Sequence, residues 1–356
     1  MRVVFDVSPL SHPRTGVGNY VLGSLAGLVE AANGEHEIVA WAPASREGRA
    51  AIVEALGGIE VERRLPTMPF AHAWRTGWSR AGAPAAERFV GRFDVLHFSD
   101  WMYPPQARGV RATMIHDLVP LRFPDWAHRK TVRMHGAKYR NAARTCDLLF
   151  TNSDFTARDT VELLGVPPER VRVAHPGLDA RFGAEGERAD LERPYLFSVA
   201  TLEPRKNLGK LVEAHALLGG SHALAVAGGA GWGDQPALER EGVVRLGFVR
   251  HEDLPRWYRG AEVFVFPSRF EGFGMAVVEA MACGTPCVVS SHPSLDEACG
   301  DAAVRVDPES PEAIAAGIER ALAERDELVR RGLEHASGFT WRRAGEIMLR
   351  AYAEAA

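Results

Sequence analysis

Short apolar runs rich in valine, isoleucine and phenylalanine alternate with longer helical patterns from one end of this chain to the other. A strand that is apolar on both faces must be covered on both sides, and strand–helix–strand crossovers supply that cover in a parallel sheet. The pattern predicts strands at Val3–Val7, Glu37–Trp41, Asp94–Phe98, Ala112–His116, Leu148–Asn152 and Val171–His175 in the first half. In the second half it predicts Tyr195–Val199, Ala223–Ala227, Val243–Leu246, Val263–Pro267, Cys287–Ser290 and Ala303–Val306. The expected class is therefore α/β with doubly wound parallel sheets.

A chain of 356 residues exceeds what one core usually carries, so two domains are expected. Asp179–Arg193 is dense in Gly, Ala, Glu and Arg without periodicity and reads as the connection. This gives an N-terminal Rossmann-like domain over 1–185, a C-terminal one over 190–336, and a helix over 337–356 expected to return to the first domain. Two such domains face each other across a cleft, where open α/β sheets place their ligands. Helix punctuation agrees: Ser310-Pro311 opens a helix, Thr340 caps the last one, Ser153 caps the helix after Leu148–Asn152, and Asn207 caps another.

The formal net charge of −4 argues against a nucleic-acid binder. Cys146, Cys283, Cys287 and Cys299 form no C-x-x-C pair and read as reduced, buried thiols. The first residues read as a strand rather than a leader, and no apolar stretch reaches the ~20 residues that span a bilayer. The expectation is a cytoplasmic protein.

The segment from Val263 to Ser290 contains a strand, a loop Phe270-Glu-Gly-Phe-Gly-Met275, a helix carrying Glu279, and another strand. Gly272 and Gly274 permit close backbone approach, and the amides of Gly274 and Met275 open a helix, where a diphosphate binds well. Ionised carboxylates accept hydroxyl protons strongly, so Glu271 suits a sugar and Glu279 both hydroxyls of a ribose. The plain alternative is a pair of solvated glutamates flanking a helix start. Upstream, Glu203-Pro-Arg-Lys-Asn207 follows a strand and puts Arg205 and Lys206 where cations would stabilise a departing diphosphate.

These two segments resemble the signatures of family-four retaining glycosyltransferases of the glycosyltransferase B fold. The likeness extends to bacterial polysaccharide mannosyltransferases. It implies that Glu271 and Glu279 bind donor sugar and ribose, that Arg205 and Lys206 lie on the donor diphosphate, and that Gly272, Phe273, Gly274 and Met275 line the donor. In the first domain, the loop bearing Gly16 and Gly18 lacks the third glycine of a dinucleotide fingerprint. In the resembled family it reaches the donor phosphates. The His116-Asp117-Leu-Val-Pro120 element resembles that of bacterial members, where the histidine lines the sugar site. Asp100, Trp101, Asp117, Asn152 and Ser153 become acceptor-side candidates on the same grounds, with helix capping an equal role for Asn152 and Ser153.

The resemblance implies transfer of a hexose, with mannose from GDP-mannose favoured, to a glycan or lipid-linked acceptor in cell-surface polysaccharide or glycolipid synthesis. No cofactor and no metal are expected, since no D-x-D motif is present and Arg205, Lys206 and the helix amides can neutralise the diphosphate. The rival readings are a nucleotide-sugar epimerase or hydrolase on the same fold, or a non-catalytic nucleotide-sugar-binding protein. Arg63–Arg92 interleaves arginines with Phe70, Trp74, Trp78 and Phe89. Such a segment either lies on the inner face of the plasma membrane or packs on the first domain with its arginines solvated.

Overall fold

The computed structural model describes residues 1–13, 15–99, 102–229, 231 and 238–356. The chain divides into two compact units, Met1–Gly177 with Thr340–Ala356, and Leu178–Phe339. Among the described residues, no helix is long and apolar enough to cross a membrane.

The first unit is built on a seven-stranded parallel sheet. Its strands are β1 (Arg2–Asp6), β2 (Glu37–Trp41), β3 (Glu62–Arg64), β4 (Val95–Phe98), β5 (Val110–Ile115), β6 (Leu148–Thr151) and β7 (Val171–Val173). They lie in the order β3-β2-β1-β4-β5-β6-β7. Successive side chains point to opposite faces, and both faces are covered: Val3 and Phe5 enter one apolar cluster, Val4 the other. The second unit carries six parallel strands: β8 (Tyr195–Val199), β9 (Ala223–Ala227), β10 (Val243–Gly247), β11 (Val263–Phe266), β12 (Cys287–Ser290) and β13 (Ala303–Val306). Their order is β10-β9-β8-β11-β12-β13. Phe264 and Phe266 face one core and Val263 and Val265 the other.

Differences from the sequence reading have local causes. The edge strand β3, Glu-Arg-Arg, has no apolar face and was not anticipated. Strands β5 and β6 end at Ile115 and Thr151, so His116 and Asn152 stand just past the sheet edge. The division at Gly177 falls ahead of the Asp179–Arg193 stretch because Leu178 and Phe182 join the second unit's core. Arg259 also fixes that stretch, donating to the carbonyls of Gly183, Glu187 and Arg181. Asn207 does not cap through its side chain. It takes a left-handed conformation, φ 57°, at the end of the short Pro204–Lys206 turn, and its amide donates to the Pro308 carbonyl at 2.6 Å. Ser153, Ser310 and Thr340 do cap their helices. The aromatics of Arg63–Arg92 mostly turn inward: Trp78 is buried and stacks on Trp74 at 4.8 Å, while Phe70 is exposed.

The C-terminal helix, Trp341–Ala355, crosses the helix Gly16–Ala32 at glycines. A Cβ at Gly27 would lie 2.0 Å from the Trp341 carbonyl, and one at Gly345 would lie 2.2 Å from the Gly27 carbonyl. Glycine inside a helix costs about 1 kcal/mol relative to alanine, so its presence here reflects the closeness of the two backbones. Farther along, Tyr352 reaches His97 on β4, 2.6 Å between Oη and Nδ1, and both are buried. Gly27→Leu is expected to destabilise the first unit by about 3 kcal/mol or more, seen as a lower urea midpoint. The exposed Gly77 has open space around it, and Gly77→Ala should leave stability unchanged or slightly raised.

Candidate active site

Strands β8 and β11 are parallel neighbours, so the loops that leave their carboxyl ends emerge side by side. The loop after β8 folds into the short turn Pro204–Lys206, and the one after β11 carries Ser268 to Gly274. Together they surround one carboxylate. Arg205 Nη1 donates to Glu271 Oε2 at 2.9 Å, and Lys206 Nζ donates to Glu271 Oε1 at 2.6 Å. The Ser268 hydroxyl donates to the same Oε1. Arg205 is held from behind, Nε on Glu203 Oε2 at 2.9 Å and Nη1 on the Phe270 carbonyl at 3.2 Å. Lys206 Nζ also lies 5.2 Å from the centre of the Phe266 ring.

The backbone of Glu271 is fixed as firmly as its side chain. Its N–H donates to Ser294 Oγ at 3.1 Å. His292 Nδ1 accepts the Ser294 N–H and therefore also accepts the Ser294 hydroxyl, 2.9 Å away. Burial by itself would push the Glu271 carboxyl up, but Lys206 and Arg205 outweigh that and hold it at about 2. Burial, together with Arg205, lowers Lys206 in turn.

Directly after this cluster, the helix Met275–Ala282 begins. Gly274 at its head has φ 106°, and a Cβ there would stand 2.6 Å from Leu295 Cδ2, so only glycine fits. Phe273 is buried with its ring against Phe339, 5.4 Å between centres. Its side chain belongs to the core, so only its backbone is left to face a donor. Gly272 is buried and Met275 half-buried.

Glu279 stands apart from that cluster, in its own polar group. One oxygen, Oε2, accepts the Tyr258 hydroxyl at 3.0 Å. Burial raises its carboxyl to about 7, against the Tyr258 hydrogen bond and with a further upward push from Asp179. The two carboxyls of the motif are therefore shifted in opposite directions.

In the first unit, His116 is half-buried with its ring edge-on to Tyr20, 4.9 Å between centres. Tyr20 lies on the helix that Gly16 opens and that contains Gly18, so these three candidates share a neighbourhood. Asp117 instead serves its own loop, accepting the Val119 N–H at 3.0 Å, while its carbonyl accepts the Tyr139 hydroxyl. Ser153 is fully buried, and its hydroxyl accepts the Thr156 N–H at 2.9 Å, which makes it a helix cap rather than an acceptor contact. Asn152 is buried, with Oδ1 unpaired among the described residues. Asp100 and Trp101 lie outside the described residues.

Sequence reasoning missed Glu203, Ser268, His292, Ser294 and Tyr258. Glu203 was visible inside the E-P-R-K-N run; the others reach the site only through folding. Because Glu271 is ionised well below the ordinary carboxylate value of 4.5, its pairing stabilises the fold above that pH and is lost as pH falls toward 2. Glu271→Gln should therefore lower stability by on the order of 3 kcal/mol at pH 7, with the deficit shrinking between pH 4.5 and 2. Urea unfolding at pH 7, 4 and 2.5 measures it.

Two family models cover the chain in tandem: "Glycosyltransferase Family 4" over residues 14–182 and "Glycosyl transferases group 1" over 183–335. O-antigen chain mannosyltransferase B of Escherichia coli is 29% identical, over 99% of both chains. D-inositol 3-phosphate glycosyltransferase of Salinispora tropica is 30% identical, over 98% of this chain and 83% of its own. Among solved structures, Anabaena Alr3699/HepE in complex with UDP and glucose superposes with a TM-score of 0.67 at 15% identity, over 99% of each chain. With matching models on both halves, a 30%-identical relative covered over most of its length and the same two-sheet architecture, the chain belongs to the family-four glycosyltransferases of the glycosyltransferase B fold.

Proposed function

We propose that this glycosyltransferase is a retaining, metal-independent hexosyltransferase that uses a nucleotide-sugar donor, with mannose from GDP-mannose as the first donor to test. Its acceptor is a glycan or a lipid-linked sugar in cell-surface polysaccharide or glycolipid synthesis, reached from the cytoplasm with peripheral contact at the membrane. The observation that carries this reading is the direct contact of Arg205 and Lys206 with Glu271, immediately before the glycine-led helix Met275–Ala282. The relative named as an O-antigen chain mannosyltransferase supports mannose and a polysaccharide acceptor. The fold neighbour that holds UDP and glucose supports a nucleotide sugar.

In the proposed reaction, the donor diphosphate meets the amides of Gly274 and Met275 and the cations Arg205 and Lys206. As the glycosidic bond breaks, negative charge accumulates on the leaving oxygen, and fixed cations lower that barrier without moving a proton. Glu271 accepts hydroxyls of the donor sugar. His116 hydrogen-bonds the sugar and shapes the field around the oxocarbenium-like state. The acceptor hydroxyl attacks from the face the diphosphate leaves, and a phosphate oxygen takes its proton, so no side chain forms a covalent intermediate.

Thermal shift against a panel of nucleotide sugars should single out GDP-mannose, since a ligand bound only by the folded state raises its melting temperature. With that donor, Arg205→Met and Lys206→Met should each lower kcat by about 10²- to 10³-fold, and EDTA should leave turnover unchanged. Loss of activity in EDTA that a divalent ion restores, or donor consumption that no acceptor accelerates, would refute this reading.

A further inference from the structure

Tyr258, which engages Glu279, lies outside the sequence motif. It sits on the helix Leu254–Gly260, is fully buried, and donates its hydroxyl to Glu279 Oε2 at 3.0 Å. The tyrosine is itself held at both ends. Its ring packs against Phe197 and Phe264, with centres 5.2 and 5.3 Å away. Its carbonyl accepts the Thr285 hydroxyl at 2.6 Å, in the turn that follows Glu279's own helix. Among the described residues, no donor is paired with the other oxygen, Oε1.

A carboxylate turns about its last bond through a broad, shallow profile, so an unrestrained glutamate presents its lone pairs in many directions. A buried hydroxyl fixed on Oε2 removes that freedom and leaves Oε1 aimed one way. We propose that Tyr258 is a positioning residue that aims the Glu279 carboxylate at the ribose of the donor, so that the enzyme distinguishes ribose from 2′-deoxyribose. This rests on the reading in which Glu279 receives the ribose.

Among the described residues, the titratable groups that act on Glu279 are few. Tyr258 approaches from Leu254–Gly260, and Cys283 follows one turn along its own helix. Asp179 approaches from the segment before β8, paired with Arg181 and influenced by His251. The Tyr258 hydrogen bond favours the ionised carboxylate, and Asp179 and burial oppose it. Removing the hydroxyl therefore raises the Glu279 carboxyl further above about 7 and leaves it protonated at neutral pH.

The test is calorimetric binding of GDP and 2′-deoxy-GDP, with UDP and 2′-deoxy-UDP in parallel, to the wild type, Tyr258→Phe and Glu279→Gln, from pH 6 to 9. The ratio of ribo to deoxy affinity cancels the titration of the diphosphate itself. Tyr258→Phe keeps the ring and the backbone contact with Thr285, so the fold is retained, and its melting temperature verifies that. The wild type is expected to favour the ribo form by about tenfold, the scale of one hydrogen bond to a charged group, with the preference fading as pH falls through 7. In Tyr258→Phe the preference should fall below threefold at pH 7.5 and stay low at pH 9, where the carboxylate is ionised but no longer aimed, and a full return at pH 9 overturns the aiming role; in Glu279→Gln it should be lost at every pH. A wild-type ratio and pH profile in Tyr258→Phe overturns the positioning role, as does an equal loss of ribo and deoxy binding. A wild type that does not separate ribo from deoxy, with Glu279→Gln unchanged, instead overturns the assignment of Glu279 to the ribose.

Discussion

The carboxylate of Glu271 is buried at the carboxyl edge of the second sheet, yet stays ionised, because a guanidinium, an ammonium and a hydroxyl all converge on it. A lone carboxylate in that place would take up a proton rather than bear the cost of desolvation. The pairing explains several features at once. It fixes Arg205 and Lys206 before any ligand arrives, and it holds the loop that ends at Gly274. The loop it holds leads into the helix Met275–Ala282, whose capping residue Gly274 lies against Leu295 and tolerates no side chain. A network of this kind is costly if half satisfied and rigid when complete.

Glu279 shows how little the spacing of two acids says about their state. Both glutamates are buried and share one loop–helix element, yet one is held at about 2 and the other pushed to about 7. The difference lies in the neighbours. Glu271 faces two cations; Glu279 faces a neutral phenol and, farther off, another carboxylate. Those neighbours come from β8's loop in one case and from Leu254–Gly260 and the Asp179 segment in the other, so local sequence carries no sign of the contrast.

This is also the measure of what was legible beforehand. Twelve strands were visible as apolar runs because both faces of a parallel strand are buried, which leaves a continuous signal. The edge strand Glu62–Arg64 was invisible for the converse reason. Caps at Ser153, Ser310 and Thr340 were legible because capping is decided within four residues. Asn207 misled because its amide found a carbonyl a hundred residues away. The burial of the Phe273 side chain was not legible, because a motif position says nothing about which way its side chain turns. The cationic pair and the first glutamate were readable as candidates and do come into contact, whereas Ser268, Ser294, His292 and Tyr258 are brought in by the fold.

The charges around Glu271 also bear on how a diphosphate would be recognised. Two carboxylates, Glu203 and Glu271, stand against two cations, Arg205 and Lys206, so the cluster is formally neutral. The donor diphosphate of the proposed reaction then meets cations already fixed on Glu271 rather than an excess of positive charge. In the proposed reaction, charge grows on the leaving diphosphate only as the bond breaks. Cations that are already oriented and already desolvated respond to that growth without rearrangement, and this favours the transition state over the bound ground state. A strongly positive pocket would grip substrate and departing diphosphate alike, and uniform binding of that kind does nothing for the chemical step. Under the proposed reaction, the balance of acids against bases serves the chemical step as well as the fold.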